Sequence, residues 1–148
     1  MVPRLVAIAH HPHIARMERH YHGPDAARFQ RIADEVVASL PERFREQLGS
    51  VVMQVEEFAT PEQLSSVDLS DKWTLSGLYS GIPLTESSIW QSGQEPPRIW
   101  LFRQPLLAEM AATGVGLEEL VRHVVIHEAG HHFGFSDDDM HWLEDHAG

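Results

Sequence analysis

A long apolar stripe in the C-terminal third of the chain requires a partner surface to cover it. The residues of the stripe recur every three or four positions between Gly116 and Phe133, and they are Leu117, Leu120, Val121, Val124, Val125 and Ala129. This spacing is typical of a helix that buries one face. Just before it, residues 98–103 contain four consecutive apolar or aromatic side chains and form the clearest predicted strand. We therefore expect a helix packed against a sheet.

The rest of the pattern predicts further helices and strands in a single domain. Apolar residues at helical spacing follow Asp25 as far as Pro41, where the helix ends or restarts through Leu48. Residues 51–58 predict a strand, and Thr60 opens a short turn with a capping box. Residues 75–94 predict a strand that leads into a long loop. Residues 105–113 predict a short helix. A length of 148 residues fits one domain.

The first 23 residues show no sustained period and are rich in histidine. We expect them to form an extended or loosely attached arm, and residues 24–148 to form the domain. The histidines of this arm would be either solvated or part of an accessory metal site, and they are His10, His11, His13, His20 and His22.

Charge and composition exclude several classes of protein. The net charge of −11 opposes binding to nucleic acid or to an anionic membrane surface. With no cysteine, the chain can form neither a disulfide nor a thiolate metal site, so any metal must be held by nitrogen and oxygen. No stretch has the length of a transmembrane helix, and the N-terminus lacks the pattern of a signal peptide, so we expect a cytoplasmic protein.

The predicted C-terminal helix contains the sequence His127-Glu128-Ala-Gly-His131. Spacing of four residues places the two imidazoles one turn apart, close enough to bind one ion, with Glu128 offset toward a water on that ion. Gly134 can end the helix in the left-handed conformation and turn Asp137 toward the ion. Two nitrogens and one oxygen leave a fourth tetrahedral position open, as in a catalytic zinc site.

Other residues near this motif leave alternatives open. Asp138, His141 and Glu144 are alternatives to Asp137 as the third ligand, and residues 137–139 also fit a solvated acidic loop. His132 points away from His131 by about 100°, which favours a supporting or surface position over a ligand. His123 lies one turn before His127 and fits packing at the edge of the core better than contact with the site.

The run from His127 to Asp137 resembles the H-E-x-x-H-x-x-G-x-x-D pattern of the minimal zincins, small bacterial proteins described as zincin-like metallopeptidases. Residues 77–86 and 97–103 resemble middle segments of that family, so the resemblance covers about residues 24–140. It implies a zincin-like α+β fold with a small mixed sheet beside the active-site helix. It also implies His127, His131 and Asp137 as ligands of Zn²⁺, and Glu128 as the general base.

Two features depart from the larger metzincin enzymes. Asp137 stands where those enzymes have a third histidine, and this anionic ligand should make bound water less acidic and peptidase chemistry slower. Only 11 residues follow Asp137, and Met140 is too near to form a methionine turn below the metal.

The leading hypothesis is zinc-dependent hydrolysis of a peptide bond, with Glu128 taking a proton from water and passing it to the leaving amine. Tyr79, His123, His141 and Arg98 are unranked candidates to stabilise the oxyanion, although Tyr79 also fits a packed strand aromatic. Residues 98–103 are a candidate edge for an extended peptide, and equally fit plain core. The alternatives are a non-catalytic zinc-binding interaction or regulatory domain, and a metal hydrolase of a non-peptide amide.

Overall fold

The computed structural model describes the backbone of residues 4–9, residues 20–81 and 96–134, and the single residues 138, 139, 142 and 145. Four strands and five helices lie in these ranges. In chain order they are β1 (Arg4–Ala9), α1 (Ala26–Ser39), α2 (Glu42–Gln47), β2 (Val52–Glu56), α3 (Pro61–Ser66), β3 (Leu75–Gly81), β4 (Arg98–Phe102), α4 (Arg103–Thr113) and α5 (Leu117–Phe133). A 3-10 turn (Lys72–Thr74) precedes β3. No helix in these ranges has the length and apolar character needed to cross a bilayer.

Helix boundaries follow local signals in the sequence. Asp25 caps α1 by accepting a hydrogen bond from the Arg28 N–H at 2.9 Å, and Pro41 separates α1 from α2. Thr60 and Gln63 form the predicted capping box at the start of α3. Gly114 and Gly134 end α4 and α5 with φ angles of 75° and 74°, in the left-handed region where a Cβ would be strained.

The four strands form one mixed sheet in the order β1-β3-β4-β2. β3 is antiparallel to both β1 and β4, whereas β2 and β4 are parallel. Because β4 lies between β3 and β2, both of its edges are already paired. The prediction that residues 98–103 offer an edge to a peptide is therefore wrong, and the alternative that this strand is core holds.

The N-terminal segment contributes a strand that the sequence pattern did not predict. β1 pairs with β3 along its length, so residues 4–9 belong to the sheet rather than to a loosely attached arm. Farther along, the Gln104 side chain accepts from the Tyr21 N–H and donates to the Tyr21 carbonyl, while Arg103 donates to the Pro24 carbonyl at 2.7 Å. The His20 ring packs against Phe58 with ring centroids 5.3 Å apart. The chain is thus anchored again at residues 20–24.

The sheet has a helical layer on each face. The larger core cluster joins α1 and α5 to one face of the sheet, including Tyr79, Ile99 and Leu101. A smaller cluster packs Leu64 of α3 against Leu78 and other residues on the second face. α5 approaches β3 most closely at Gly77, where an added Cβ would lie 2.3 Å from Val124 Cγ1. The predicted α+β architecture, a small mixed sheet beside the helix that carries the histidines, is confirmed.

Candidate metal centre

The structure brings His127 and His131 together on α5. Their ring centroids lie 4.8 Å apart and their planes are inclined at 78°. Both residues are half-buried, whereas His123, one turn earlier, is exposed with its ring centroid 6.0 Å from that of His127. Two imidazoles one helical turn apart are a suitable pair of donors for one divalent ion.

Glu128 is the most unusual side chain of the site because it is a carboxyl group with 0% exposure. Burial raises its pKa well above the usual range, and the nearby backbone of Tyr79 opposes this effect only in part. Neither carboxyl oxygen meets the geometry of a hydrogen bond with any residue that the structure describes. A buried carboxyl group without such a bond is destabilising unless a ligand or a reaction uses it.

A buried hydrogen-bonded pair, Tyr79 and His132, lies beside Glu128. The Tyr79 hydroxyl and His132 Nδ1 form a hydrogen bond of 2.6 Å, and both residues are 0% exposed. Burial lowers the pKa of His132, opposed in part by the backbone of Gln47, and burial raises the pKa of Tyr79. This bond connects the last turn of α5 to β3, and hence holds the turn that carries His131.

This pair decides two alternatives from the sequence. Tyr79 is a buried strand aromatic whose hydroxyl forms a hydrogen bond with His132, as the packed-aromatic alternative predicts. The surface alternative for His132 is wrong. Sequence reasoning missed the pair because Tyr79 precedes His132 by 53 residues and no local period connects them. Another oxyanion candidate, Arg98, donates to Gln54 of β2 at 2.8 Å.

Most of the residues predicted as a third ligand lie in a part of the chain that the structure leaves undescribed. Asp137 lies outside the described residues, as do His141, Glu144 and Met140, while Asp138 is exposed. Within the described ranges, no group of three His, Asp or Glu side chains is placed to hold a metal ion. Gly134 does adopt the left-handed conformation that the sequence analysis predicted for turning the chain after α5.

The donors that are described fit a zinc ion. Neutral imidazole is a preferred ligand of Zn²⁺, and His127 and His131 present two such rings to one space. The adjacent carboxyl group of Glu128 has no hydrogen-bond partner in the described structure, as expected for a group whose partner would be a bound water.

Comparison with known families agrees with this geometry. The sequence profile of the zincin-like metallopeptidases matches residues 48–147, which include β2, β3, β4 and the whole of α5. The chain belongs to this family. No curated protein sequence matches it at a significant level. In this zincin-like protein, β1 and α1 lie outside the matched segment, although the structure includes both in the fold.

Proposed function

We propose that this zincin-like protein is a zinc-dependent metallopeptidase that hydrolyses peptide bonds of a peptide or protein substrate. In this proposal His127, His131 and Asp137 hold the zinc ion and Glu128 is the general base. The observation that carries it is the arrangement on α5, where two imidazoles 4.8 Å apart flank a fully buried carboxyl group with no hydrogen-bond partner in the described structure.

Bound zinc would supply Lewis acidity, which makes a water molecule more acidic and polarises the substrate carbonyl. Glu128 would accept a proton from that water and transfer it to the nitrogen of the leaving amine, so that one water is consumed for each bond broken. The Tyr79–His132 hydrogen bond would hold the last turn of α5 in position, and with it His131.

The main rival is a zinc-binding domain without turnover, and the enclosure of Glu128 is the observation that favours it. A base must reach water and substrate, whereas a structural site has no such need. A hydrolase of a non-peptide amide would share the same metal site and differ only in what it accepts as substrate.

The first test is metal stoichiometry by inductively coupled plasma mass spectrometry on protein purified without a nickel column. One zinc ion per chain is expected in the wild type and in His123→Ala, and loss of that zinc is expected in His131→Ala. His123 is the matched control because it lies on the same helix, next to His127 at a centroid distance of 6.0 Å. Zinc that persists in His131→Ala would reject the site.

The second test separates a peptidase from a binding domain. A peptide library is incubated with the zinc-loaded wild type and with Glu128→Gln, and products are identified by mass spectrometry. The proposal predicts cleavage that Glu128→Gln abolishes while zinc content is unchanged. Equal cleavage by both proteins would reject Glu128 as the general base, and cleavage by neither protein would support the rivals.

A further inference from the structure

The outer edge of β3 is occupied by the chain's own N-terminal strand. β1 pairs antiparallel with β3, and no strand among the described residues pairs with its other side. In the register, Val6 lies opposite Tyr79 and Arg4 lies opposite Gly81. β1 also lies in contact with α5. The strand therefore covers the edge of β3 that is not paired with β4.

The strand β3 packs against the turns of α5 on both sides of Glu128. Gly77 of β3 packs against Val124, one turn before Glu128 on α5, and Tyr79 contacts His132, one turn after it. The Tyr79 backbone is also close enough to affect the Glu128 carboxyl. A peptide paired with β3 would therefore place its backbone next to the proposed base. Pairing with a sheet edge is a common way to bind an extended peptide.

β1 lies outside the segment that the family profile matches. The family match begins at residue 48, and within the matched segment β3 is the outer strand of the order β3-β4-β2. The chain after β1 is held independently of it, because Gln104 and Arg103 bind the backbone of Tyr21 and Pro24. Ten residues, 10–19, connect Ala9 to this anchor and can span at most about 35 Å. β1 can leave β3 without disturbing the anchor.

We propose that β1 is an intramolecular inhibitor, a strand that occupies the peptide-binding edge of β3 and must leave before an extended peptide can reach Glu128. This inference rests on the proposed peptidase function. A strand that occupies the edge in about 90% of the molecules lowers the apparent affinity for a competing peptide about tenfold, so release of β1 should raise kcat/KM by at least about that factor.

Two full-length variants test the proposal in opposite directions. Consecutive N–H groups of a strand point to opposite sides, so Val6→Pro/Ala7→Pro removes one bond to β3 whichever residue donates it. Val6→Thr/Ala7→Thr is the matched control because it retains both N–H groups and favours a strand. Leu5→Cys/Ser80→Cys locks β1 in place, since the two residues are directly opposite and the chain has no other cysteine.

The first readout does not depend on catalysis. A fluorescein-labelled peptide with the sequence of Arg4–Ala9 is titrated against each protein, and amide hydrogen exchange is measured in β3. The proline variant should bind the peptide at least about tenfold more tightly than the threonine control. Without peptide, the β3 amides of the proline variant should exchange faster than those of the threonine control. Addition of the peptide should slow their exchange again. Unchanged zinc content and a cooperative thermal transition show that the variant is folded.

The second readout is peptide cleavage by the zinc-loaded proteins. The proline variant should cleave the library faster than wild type, and the oxidised cysteine variant should be inactive until a reductant restores cleavage. Equal peptide binding and equal β3 exchange in the proline and threonine variants would overturn the proposal, as would full activity of the oxidised cysteine variant. Release of β1 with peptide binding but no cleavage would reject the peptidase and retain only the conclusion that β1 occupies a peptide-binding edge.

Discussion

Gly77→Ala should disturb the fold and the candidate metal site together, because α5 and β3 approach each other most closely at this residue. A Cβ built on Gly77 lies 2.3 Å from Val124 Cγ1 and 3.4 Å from the Trp100 carbonyl oxygen. Ordinary carbon contacts are about 3.5–4.0 Å, so the helix and strand must separate by more than about 1 Å. Val124 cannot simply turn away, because valine in a helix has one strongly preferred rotamer.

The expected cost is about 1–3 kcal/mol in the free energy of unfolding, the usual range for overpacking a core. Zinc affinity should also fall, since Glu128 lies one turn beyond Val124 and His131 lies on the following turn. Stability is measured by urea denaturation of the metal-free protein, and zinc affinity by competition with a chromophoric chelator.

A double-mutant cycle isolates the steric contact. Val124→Ala removes the methyl group that the new Cβ would meet, at the cost of a small cavity. The variant Gly77→Ala/Val124→Ala should therefore be more stable than the sum of the two single effects predicts, by at least about 1 kcal/mol. Additive effects, or a neutral Gly77→Ala, would refute the claim that this contact sets the distance between α5 and β3.

Three further predictions concern Glu128, Tyr79 and the glycine that ends α5. In metal-free protein, the raised pKa of Glu128 means that the folded state binds a proton more tightly than the unfolded state, so stability falls as pH rises above about 4.5. Glu128→Gln should therefore melt at a higher temperature than wild type at pH 7.5. A difference in melting temperature that does not change with pH would contradict this. Tyr79→Phe leaves His132 Nδ1 buried without the Tyr79 hydroxyl, and it should lower the free energy of unfolding, measured by urea denaturation, by about 1–3 kcal/mol. A loss below about 0.5 kcal/mol would show that this hydrogen bond contributes little to stability. Gly134→Ala and Gly114→Ala both place a Cβ in the left-handed region, and each should lower the free energy of unfolding by about 1 kcal/mol. Only Gly134→Ala should weaken zinc binding in a chelator competition, because Gly134 precedes residue 137 in the chain whereas Gly114 ends a different helix.

Helix boundaries and the central motif were predictable because the interactions that set them are local. Asp25 and Thr60 cap helices through hydrogen bonds to residues three positions later, and His127 and His131 are neighbours because they are one turn apart. The family resemblance, noted from the same short motif and from residues 77–86 and 97–103, is confirmed by the profile match. The assignments of ligands and base remain predictions that the zinc and cleavage experiments test.

Sequence reasoning considered β4 as a candidate edge strand and left the first 23 residues outside the sheet. The structure instead places β4 between two strands and residues 4–9 within the sheet. A run of apolar residues such as 99–102 indicates burial but not which strands lie on either side of it. The hydrogen bond between Tyr79 and His132 likewise joins residues that no local period relates.

The amino-acid sequence by itself determined the positions of the helices, the pairing of two imidazoles on α5 and the glycine that ends this helix, because each depends on contacts within about four residues. Only the tertiary structure decided that Glu128 is enclosed, that His132 binds Tyr79 and that β1 covers β3. Those features depend on how distant segments pack, and packing is decided by the whole set of side chains at once rather than by any short stretch.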